Sequence, residues 1–100
     1  MTSGLDRVVH EPARLRILML LSAVEETDFK FLQSTLGLTN GNLSSHMNRL
    51  EKAGYVKIMK GFVGKVTQTR YHLTRAGKRA LDSYWKQIDE IRSLPVQVSG

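Results

Sequence analysis

Helix start and stop signals near the middle of the chain restrict its fold more than any other feature. Asp28 can cap a short apolar-periodic segment, and Gly37 stands just past that segment, where a glycine commonly ends a helix. Thr39 is a good N-cap for the next segment, which reaches Ala53 and is followed by Gly54. The pattern predicts two helices joined by a tight turn, which is a helix-turn-helix.

The second of these helices is apolar on one side only. Leu43, Met47 and Leu50 recur at i, i+4 and i+7 and are predicted to face the core. The other side is mostly Asn and Ser, although Glu, Lys and Gln are the stronger helix formers usually found on a surface. Asn pairs with adenine, Arg with guanine and Ser with either, and the N–H groups of a first helical turn hold phosphate. We therefore favour a DNA-recognition helix over a plain surface helix. Its candidate residues are Thr39, Asn40, Asn42, Ser44, Ser45, His46, Asn48 and Arg49.

A basic hairpin is predicted directly after this helix. Residues 55–59 and 69–73 are predicted as strands, and residues 61–66 as a turn that contains two glycines and a lysine. The lysines of an ordinary hairpin protect its edges from strand pairing. The position after a helix-turn-helix instead favours a wing that lies along phosphates or enters a minor groove. The candidate wing residues are Lys57, Lys60, Lys65, Thr67, Gln68 and Arg70.

The first and last helices of the chain are both rich in apolar residues. One is predicted from about Pro12 to Val24 and is apolar on two sides, and the other begins after Thr74 and ends near Leu94-Pro95. An apolar stripe on one helix is more often core than interface. A chain of 100 residues nevertheless has a limited core in which to bury both helices, so we predict a two-fold homodimer built from them. The candidate interface residues are Leu15, Leu18, Leu81, Tyr84, Trp85, Ile88 and Ile91.

Positive charge is concentrated in the middle of the chain. Residues 29–79 contain ten Lys and Arg against a single acid, Glu51, a net charge of +9, and the remaining residues contain five basic and eight acidic side chains, a net charge of −3. A charged surface that serves only solubility usually mixes both signs. Because Lys and Arg displace condensed counterions from phosphates, we predict a polyanion as partner, and double-stranded DNA fits the predicted helix-turn-helix.

The length and composition predict one domain. We expect an α+β, mainly α fold, a winged helix-turn-helix with a two-stranded wing and a long C-terminal helix. The domain is expected to occupy residues 1–100, with its core at about residues 5–94, a flexible tail at residues 95–100 and no separate sensor domain. No apolar stretch approaches the ~20 residues of a membrane span, residues 1–7 lack the apolar region of a secretory signal, and cysteine is absent. A cytoplasmic protein without membrane contact is therefore expected.

Motifs for catalysis and metal binding are missing from the sequence. We find no glycine-rich phosphate loop, no G-x-S-x-G and no paired carboxylates at helical spacing. His10, His46 and His72 have no ligand spacing, and capping, packing or surface roles account for them better. We therefore expect a protein that is not an enzyme and that uses no metal or cofactor. The sequence does not identify a small-molecule effector.

Three segments together resemble a known family. They are HEPARLRIL at residues 10–18, LTNGNLSSHMNRLEKAGYV at residues 38–56 and KGFVGKVTQTRYHLT at residues 60–74. In combination they are similar to the small winged-helix transcriptional regulators of bacteria and archaea that are related to the MarR and ArsR groups. The resemblance spans roughly residues 5–94. The cysteine motif of the ArsR metal sensors is missing, which argues against regulation by metal.

The resemblance implies a function and roles for particular residues. It implies sequence-specific binding of double-stranded DNA by a homodimeric transcriptional regulator whose first and last helices pair two subunits. Binding at a promoter would block or assist polymerase, and we favour a repressor over an activator. Two alternatives remain open, which are docking of the basic face on an acidic protein and binding of double-stranded RNA by shape. The residues that the resemblance assigns to DNA are Ser44, Ser45 and His46 on the recognition helix, Asn40 and Asn42 at its start, and Lys65 and Arg70 in the wing.

Overall fold

The computed structural model describes residues 4–95, which form four helices and three strands. No helix within this range is long and apolar enough to cross a lipid bilayer. All but the first residue of the predicted tail at residues 95–100 lies outside the described residues. In chain order the elements are α1 (Pro12–Ala23), β1 (Thr27–Asp28), α2 (Phe29–Leu36), α3 (Asn40–Lys52), β2 (Val56–Val63), β3 (Val66–Leu73) and α4 (Arg75–Arg92).

The helix-turn-helix is formed by α2 and α3, and its predicted caps are present. The carboxylate of Asp28 accepts the backbone N–H of Phe31 at 2.9 Å, and the hydroxyl of Thr39 accepts that of Asn42 at 3.1 Å. Gly37 ends α2 with a φ of +65°, in the left-handed region that glycine adopts without a steric penalty. Local hydrogen bonds and one turn residue therefore fix the motif, as the sequence predicted.

The start of α4 packs directly on the segment between α3 and β2. The N–H of Thr74 donates to the carbonyl oxygen of Tyr55 at 3.0 Å, and its hydroxyl accepts the N–H of Gly77 at 3.0 Å as the cap of α4. Gly77 is buried, and a Cβ atom there would lie 2.8 Å from Cδ1 of Leu73 and closer still to the carbonyl oxygen of Tyr55. Two backbones therefore approach each other at a point where only glycine fits.

The wing is longer, and its turn shorter, than predicted. β2 and β3 pair antiparallel over all eight residues of each strand. The predicted turn over residues 61–66 is wrong at its ends, because Val63 and Val66 face each other as the last pair of the ladder. Only Gly64 and Lys65 form the turn. The φ of +64° at Gly64 fits the first position of a two-residue type II′ turn, and β-branched residues on both sides favour strand.

A third strand, β1, completes the sheet in the order β1-β3-β2 and was not predicted. Thr27 pairs with Tyr71, and Asp28, which was predicted only as a helix cap, pairs with Arg70 of β3. A strand of two residues is too short to show an alternating pattern. Its pairing is decided by β3, which follows α2, α3 and β2 in the chain.

The core lies where the helices pack on one another and on the sheet. Leu18, Leu81 and Tyr84 belong to it and are 0%, 4% and 5% exposed. The structure corrects their predicted place at a subunit interface, because their own chain already covers these side chains. The buried apolar residues are Val9, Ile17, Leu18, Leu21, Leu32, Leu43, Met47, Leu50, Val56, Tyr71, Leu81 and Tyr84.

Candidate nucleic-acid interface

The side of α3 that faces away from the core is polar and accessible. Gly41, Ser45, Asn48 and Lys52 are exposed and follow one another at helical spacing, opposite the buried stripe. Gly41 has nothing within 4 Å of its Cβ position, so a ligand can approach the first turn of the helix at this point. Lys52 was not predicted, although its i+4 spacing from Asn48 indicates the same face. The predicted recognition residues that are exposed are Thr39, Asn40, Asn42, Ser44, Ser45, Asn48 and Arg49.

The first turn of α3 contains one predicted side chain that is already hydrogen-bonded. The amide nitrogen of Gln33 in α2 donates to Oδ1 of Asn40 at 2.5 Å. This contact orients the Asn40 amide and leaves its own NH2 group for a ligand. The side chains of Asn42, Asn48 and Arg49 form no hydrogen bond within residues 4–95, so their full donor and acceptor capacity is available.

A groove of about 590 Å³ separates α3 from the wing. Ser44, Asn48 and Glu51 line it from α3, at i, i+4 and i+7. Lys60 and Thr69 line it from the wing. The recognition helix and the wing therefore share one surface that combines hydroxyls, an amide and a cation. The other residues that line the groove are Phe29, Met47, Ile58 and Tyr71.

The single acid of residues 29–79 lies in this groove. Glu51 is exposed, and it was not among the predicted site residues. Burial raises the pKa of the neighbouring Tyr71, and the negative charge of Glu51 raises it further. A carboxylate here repels phosphate and can accept a hydrogen bond from the amino group of cytosine. Its position therefore favours a base over a phosphate at this end of the groove.

Part of the predicted wing faces the recognition helix. Lys60 pairs with Thr69 across the ladder, and Thr67 lies on the same face because side chains of a strand alternate. Lys65 is exposed in the turn, at the far end of the wing. Thr69 was not predicted as a site residue, because the register of the ladder decides which face of the sheet it occupies.

The remaining predicted wing residues lie on the opposite face. Lys57, Gln68 and Arg70 alternate with the residues that face α3. Nε of Arg70 is 3.3 Å from Oε2 of Glu26, and both side chains are partly exposed. Arg70 therefore lies at the base of the wing, where an acidic side chain offsets its charge. The prediction grouped these residues with those that face α3, because the sequence of a hairpin does not reveal the register of its strands.

His46 is turned toward α1. Its Nδ1 atom lies 3.4 Å from Oε2 of Glu11 and 3.4 Å from Nη1 of Arg14, and the side chain is mostly covered. Partial burial raises the pKa of Glu11, but hydrogen bonds from the N–H groups of Ala13 and Arg14 and the charges of His46 and Arg14 outweigh it and lower the pKa. The structure thus corrects the placement of His46 at the DNA face, because the ring links α3 to the start of α1.

The other two histidines are in separate places. Nδ1 of His10 is 2.8 Å from the hydroxyl oxygen of Tyr84. His72 lies opposite Lys57 in the ladder between β2 and β3. In the part of the chain that the structure describes, no three His, Asp or Glu side chains are grouped so that they could hold a metal ion.

The junction between α3 and β2 is anchored by the N-terminal segment. The hydroxyl of Tyr55 donates to the carboxylate of Asp6, which also accepts the N–H of Val8 at 2.8 Å. This hydrogen bond, burial and the negative charge of Asp6 raise the pKa of Tyr55 to about 12. The junction that orients the wing relative to α3 is therefore held by a polar contact as well as by packing.

Some predicted interface residues remain accessible on the outer helices. Trp85 and Ile91 of α4 are 37% and 55% exposed. Leu15 and Ile88 are half-buried against the core. Met19 of α1 is also exposed. The candidate interface is therefore smaller than predicted and centred on side chains that the core does not use.

The sequence also did not reveal an apolar wing tip, which is the name we give to residues 62–66. Phe62, Val63 and Val66 are 74%, 62% and 69% exposed, and Lys65 lies between the two valines in the turn. Because the glycines at positions 61 and 64 predicted a turn, the exposure of the apolar residues between and after them was not predicted.

Residues 13–92 match the family described as the winged helix DNA-binding domain, and this span includes the helix-turn-helix and the whole wing. The chain belongs to this family. The winged helix chain is 32% identical over 82 residues to an uncharacterized protein from Methanocaldococcus jannaschii. The alignment covers 82% of this chain and 89% of that relative. The description of this family is that of a DNA-binding domain and not of an enzyme, in agreement with the sequence prediction.

Solved structures share the winged helix fold of this chain. A transcriptional regulator homologue protein from Pyrococcus horikoshii OT3 is 30% identical, with a TM-score of 0.75 over 89% of this chain and 91% of that one. A MarR-family transcriptional regulator from Silicibacter pomeroyi is 22% identical, with a TM-score of 0.66 over 93% of this chain and 62% of that one, and shows the fold alone. The predicted mainly α winged helix-turn-helix and the resemblance to small winged-helix regulators are confirmed.

Proposed function

We propose that this winged helix chain is a sequence-specific transcriptional regulator that binds double-stranded DNA as a homodimer and represses by covering a promoter. The groove shared by α3 and the wing supports this most, because it joins base-contacting side chains and a phosphate-contacting cation on one surface. The Pyrococcus horikoshii relative, described as a transcriptional regulator homologue, supports the same role. Such a protein works where the chromosome is, so we place it in the cytoplasm.

The outward face of α3 supplies the contacts to bases. Asn48 is exposed at its centre, and Arg49 is exposed beside it. An asparagine amide binds adenine and a guanidinium binds guanine, each through two hydrogen bonds in the major groove. Phosphates flank the helix at its open N-terminal turn near Gly41 and at Lys52.

The salt dependence of binding tests the role of the wing. Removing one phosphate contact weakens binding to all sequences alike and lowers the slope of log K against log salt by about one. We therefore expect Lys65→Ala to flatten the slope for random-sequence duplex DNA by about one. The matched control is Lys86→Ala, which removes an exposed lysine of α4 and should leave the slope unchanged. Fluorescence anisotropy over a salt series measures both slopes.

The same titration separates the alternatives. An unchanged slope for Lys65→Ala removes the wing from the interface. If the wild-type chain binds no duplex DNA even at low salt, DNA binding is contradicted and an acidic protein partner becomes the better explanation. Tighter binding to double-stranded RNA than to DNA favours recognition by shape. Selection from random duplexes should then enrich one site, and a pool without enrichment contradicts sequence-specific binding.

A homodimer is proposed because α1 and α4 expose apolar side chains that the core does not cover. Met19, Trp85 and Ile91 are such side chains. A two-fold pairing of these helices would place two copies of α3 in successive major grooves, ~34 Å apart, on a roughly palindromic site. Covering two grooves at a promoter excludes polymerase without any further contact, which is why we propose repression.

Ile91→Glu is expected to convert the dimer into a monomer, because a carboxylate in an apolar interface loses its hydration without gaining a partner. Lys86→Glu introduces a carboxylate at an exposed position on the side of α4 that faces away from Ile91 and from the core, and should leave the dimer intact. Sedimentation equilibrium gives the mass of each variant, and circular dichroism checks that each is folded. A monomeric wild-type chain, or a dimer that survives Ile91→Glu, contradicts the proposed interface.

A further inference from the structure

We propose that the wing tip is an apolar wedge, and that Phe62 inserts from the minor groove between two base pairs next to the segment that α3 contacts. This inference rests on the proposed DNA binding and adds a deformation of the duplex to it. Proteins that contact the minor groove kink DNA in this way when an apolar side chain partly unstacks a base step.

The exposure of the wing tip is the first observation that supports a wedge. Single exposed apolar side chains are ordinary, but the wing tip presents three of them, with Phe62 on one face of the ribbon and the cross-strand pair Val63 and Val66 on the other. Phe62 is the most exposed large apolar side chain among the described residues. Exposed apolar side chains on both faces at the end of the ribbon indicate a contact with something outside the chain.

The sheet makes the wing tip project from the domain. β1 pairs with β3 only at Tyr71 and Arg70. Beyond the pair formed by Arg70 and Met59, four further pairs of β2 and β3 continue as a two-stranded ribbon. At ~3.4 Å for each pair, the ribbon extends ~14 Å past the third strand. The wing tip is therefore presented at the end of an arm and not on the flank of the domain.

The charge of the wing indicates an anionic partner. Residues 56–73 contain four basic side chains and no Asp or Glu. Lys60 lies two residues before Phe62 on the same face of β2, and Lys65 is in the adjacent turn. Two wing tips of this composition repel each other, which argues against a second copy of the chain as occupant. A phenyl ring flanked by two ammonium groups fits a groove between two rows of phosphates.

The reach of the wing fits the minor groove beside the recognition helix. An eight-residue strand spans ~24 Å, whereas a minor groove lies half a helical turn, ~17 Å, from the major groove that α3 would occupy. Because α3 and the wing border the same groove of the protein, one duplex can contact both. The minor groove is ~6 Å wide and admits the edge of a single ring.

A wedge at Phe62 predicts specificity at a base step that α3 does not touch. Pyrimidine–purine steps such as TA unstack most easily, so they should be favoured under the wing tip. Such a preference arises from the cost of deforming the duplex and needs no hydrogen bond from the wing.

The experiment uses the full chain and short duplexes in which 2-aminopurine replaces adenine at one TA step after another. Emission of this base rises when it unstacks, so wild-type binding should raise the emission severalfold at one step. Phe62→Ala should abolish most of that rise and leave the salt slope unchanged, because no charge is removed. Phe62→Leu keeps an apolar wedge and should retain the rise. Phe31→Ala removes another exposed phenylalanine, from α2, and should retain it as well.

The outcomes separate this inference from the proposed function. The wedge is wrong, and DNA binding is unaffected, if wild type binds the duplexes with the expected salt slope but 2-aminopurine emission rises at no step. The same conclusion follows if Phe62→Ala raises the emission at the same step as wild type. If wild type binds no duplex, both fail together. Binding to vesicles of phosphatidylserine and phosphatidylcholine, lost in Phe62→Ala, with no brightening on DNA, would overturn the wedge in favour of a lipid surface.

Discussion

Leu18→Ala is expected to destabilise the folded chain by about 2 to 5 kcal/mol. Leu18 has no exposed surface and lies in the core with the other buried residues of α1. Shortening the side chain loses the free energy of transferring its methyl groups out of water, and it leaves a cavity that close-packed neighbours fill only in part. Urea denaturation followed by circular dichroism at several protein concentrations measures the change in the free energy of unfolding.

An exposed position outside the proposed dimer interface provides the control for this substitution. Thr35→Ala changes an exposed side chain of α2 and should alter the free energy of unfolding by no more than about 0.5 kcal/mol. If Leu18 belongs to the core, the loss of stability caused by Leu18→Ala is the same at every protein concentration. A loss of stability that disappears at high protein concentration would instead indicate that Leu18 lies at a subunit interface, since association of the subunits then compensates for the substitution.

Gly77→Ala is expected to cost about 1 to 3 kcal/mol, although alanine is the better helix former. The added methyl group would overlap the carbonyl oxygen of Tyr55 and lie 2.8 Å from Cδ1 of Leu73. The Tyr55 carbonyl is part of the backbone and also accepts the N–H of Thr74, so it cannot turn aside without losing that bond. The start of α4 must therefore shift.

Gly41→Ala is the matched control, because this glycine is also helical but has nothing within 4 Å of its Cβ position. It should raise the free energy of unfolding by about 0.5 to 1 kcal/mol through helix propensity alone. Thermal unfolding of both variants measures the difference in sign. Equal stabilisation by the two substitutions would mean that α4 and the segment after α3 are not in close contact.

The sequence predicted those parts of the fold that short-range chemistry decides. Asp28, Thr39 and Thr74 cap their helices because a side-chain oxygen reaches an N–H within the first turn, and neither end of that contact depends on the rest of the fold. Gly37 ends α2 for an equally local reason. The exposed polar face of α3 was predictable too, since its period is that of a single helix.

Features that depend on tertiary packing were not predicted. The register of β2 and β3 decides that Lys60 faces α3 and that Arg70 does not, and no local pattern in a strand reports its partner. Helical periodicity likewise cannot distinguish Tyr84, which the core covers, from Trp85, which it leaves exposed. The orientation of His46 was not predicted because it depends on Glu11, which lies just before α1 and is distant in the sequence.

The connectivity of the sheet also orders its assembly. A two-residue turn joins β2 to β3, so little chain entropy opposes their pairing. β1 reaches β3 only after α2, α3 and β2 have been placed, so its pairing closes a much longer loop. The ribbon is thus a local folding unit, and its third strand joins it late.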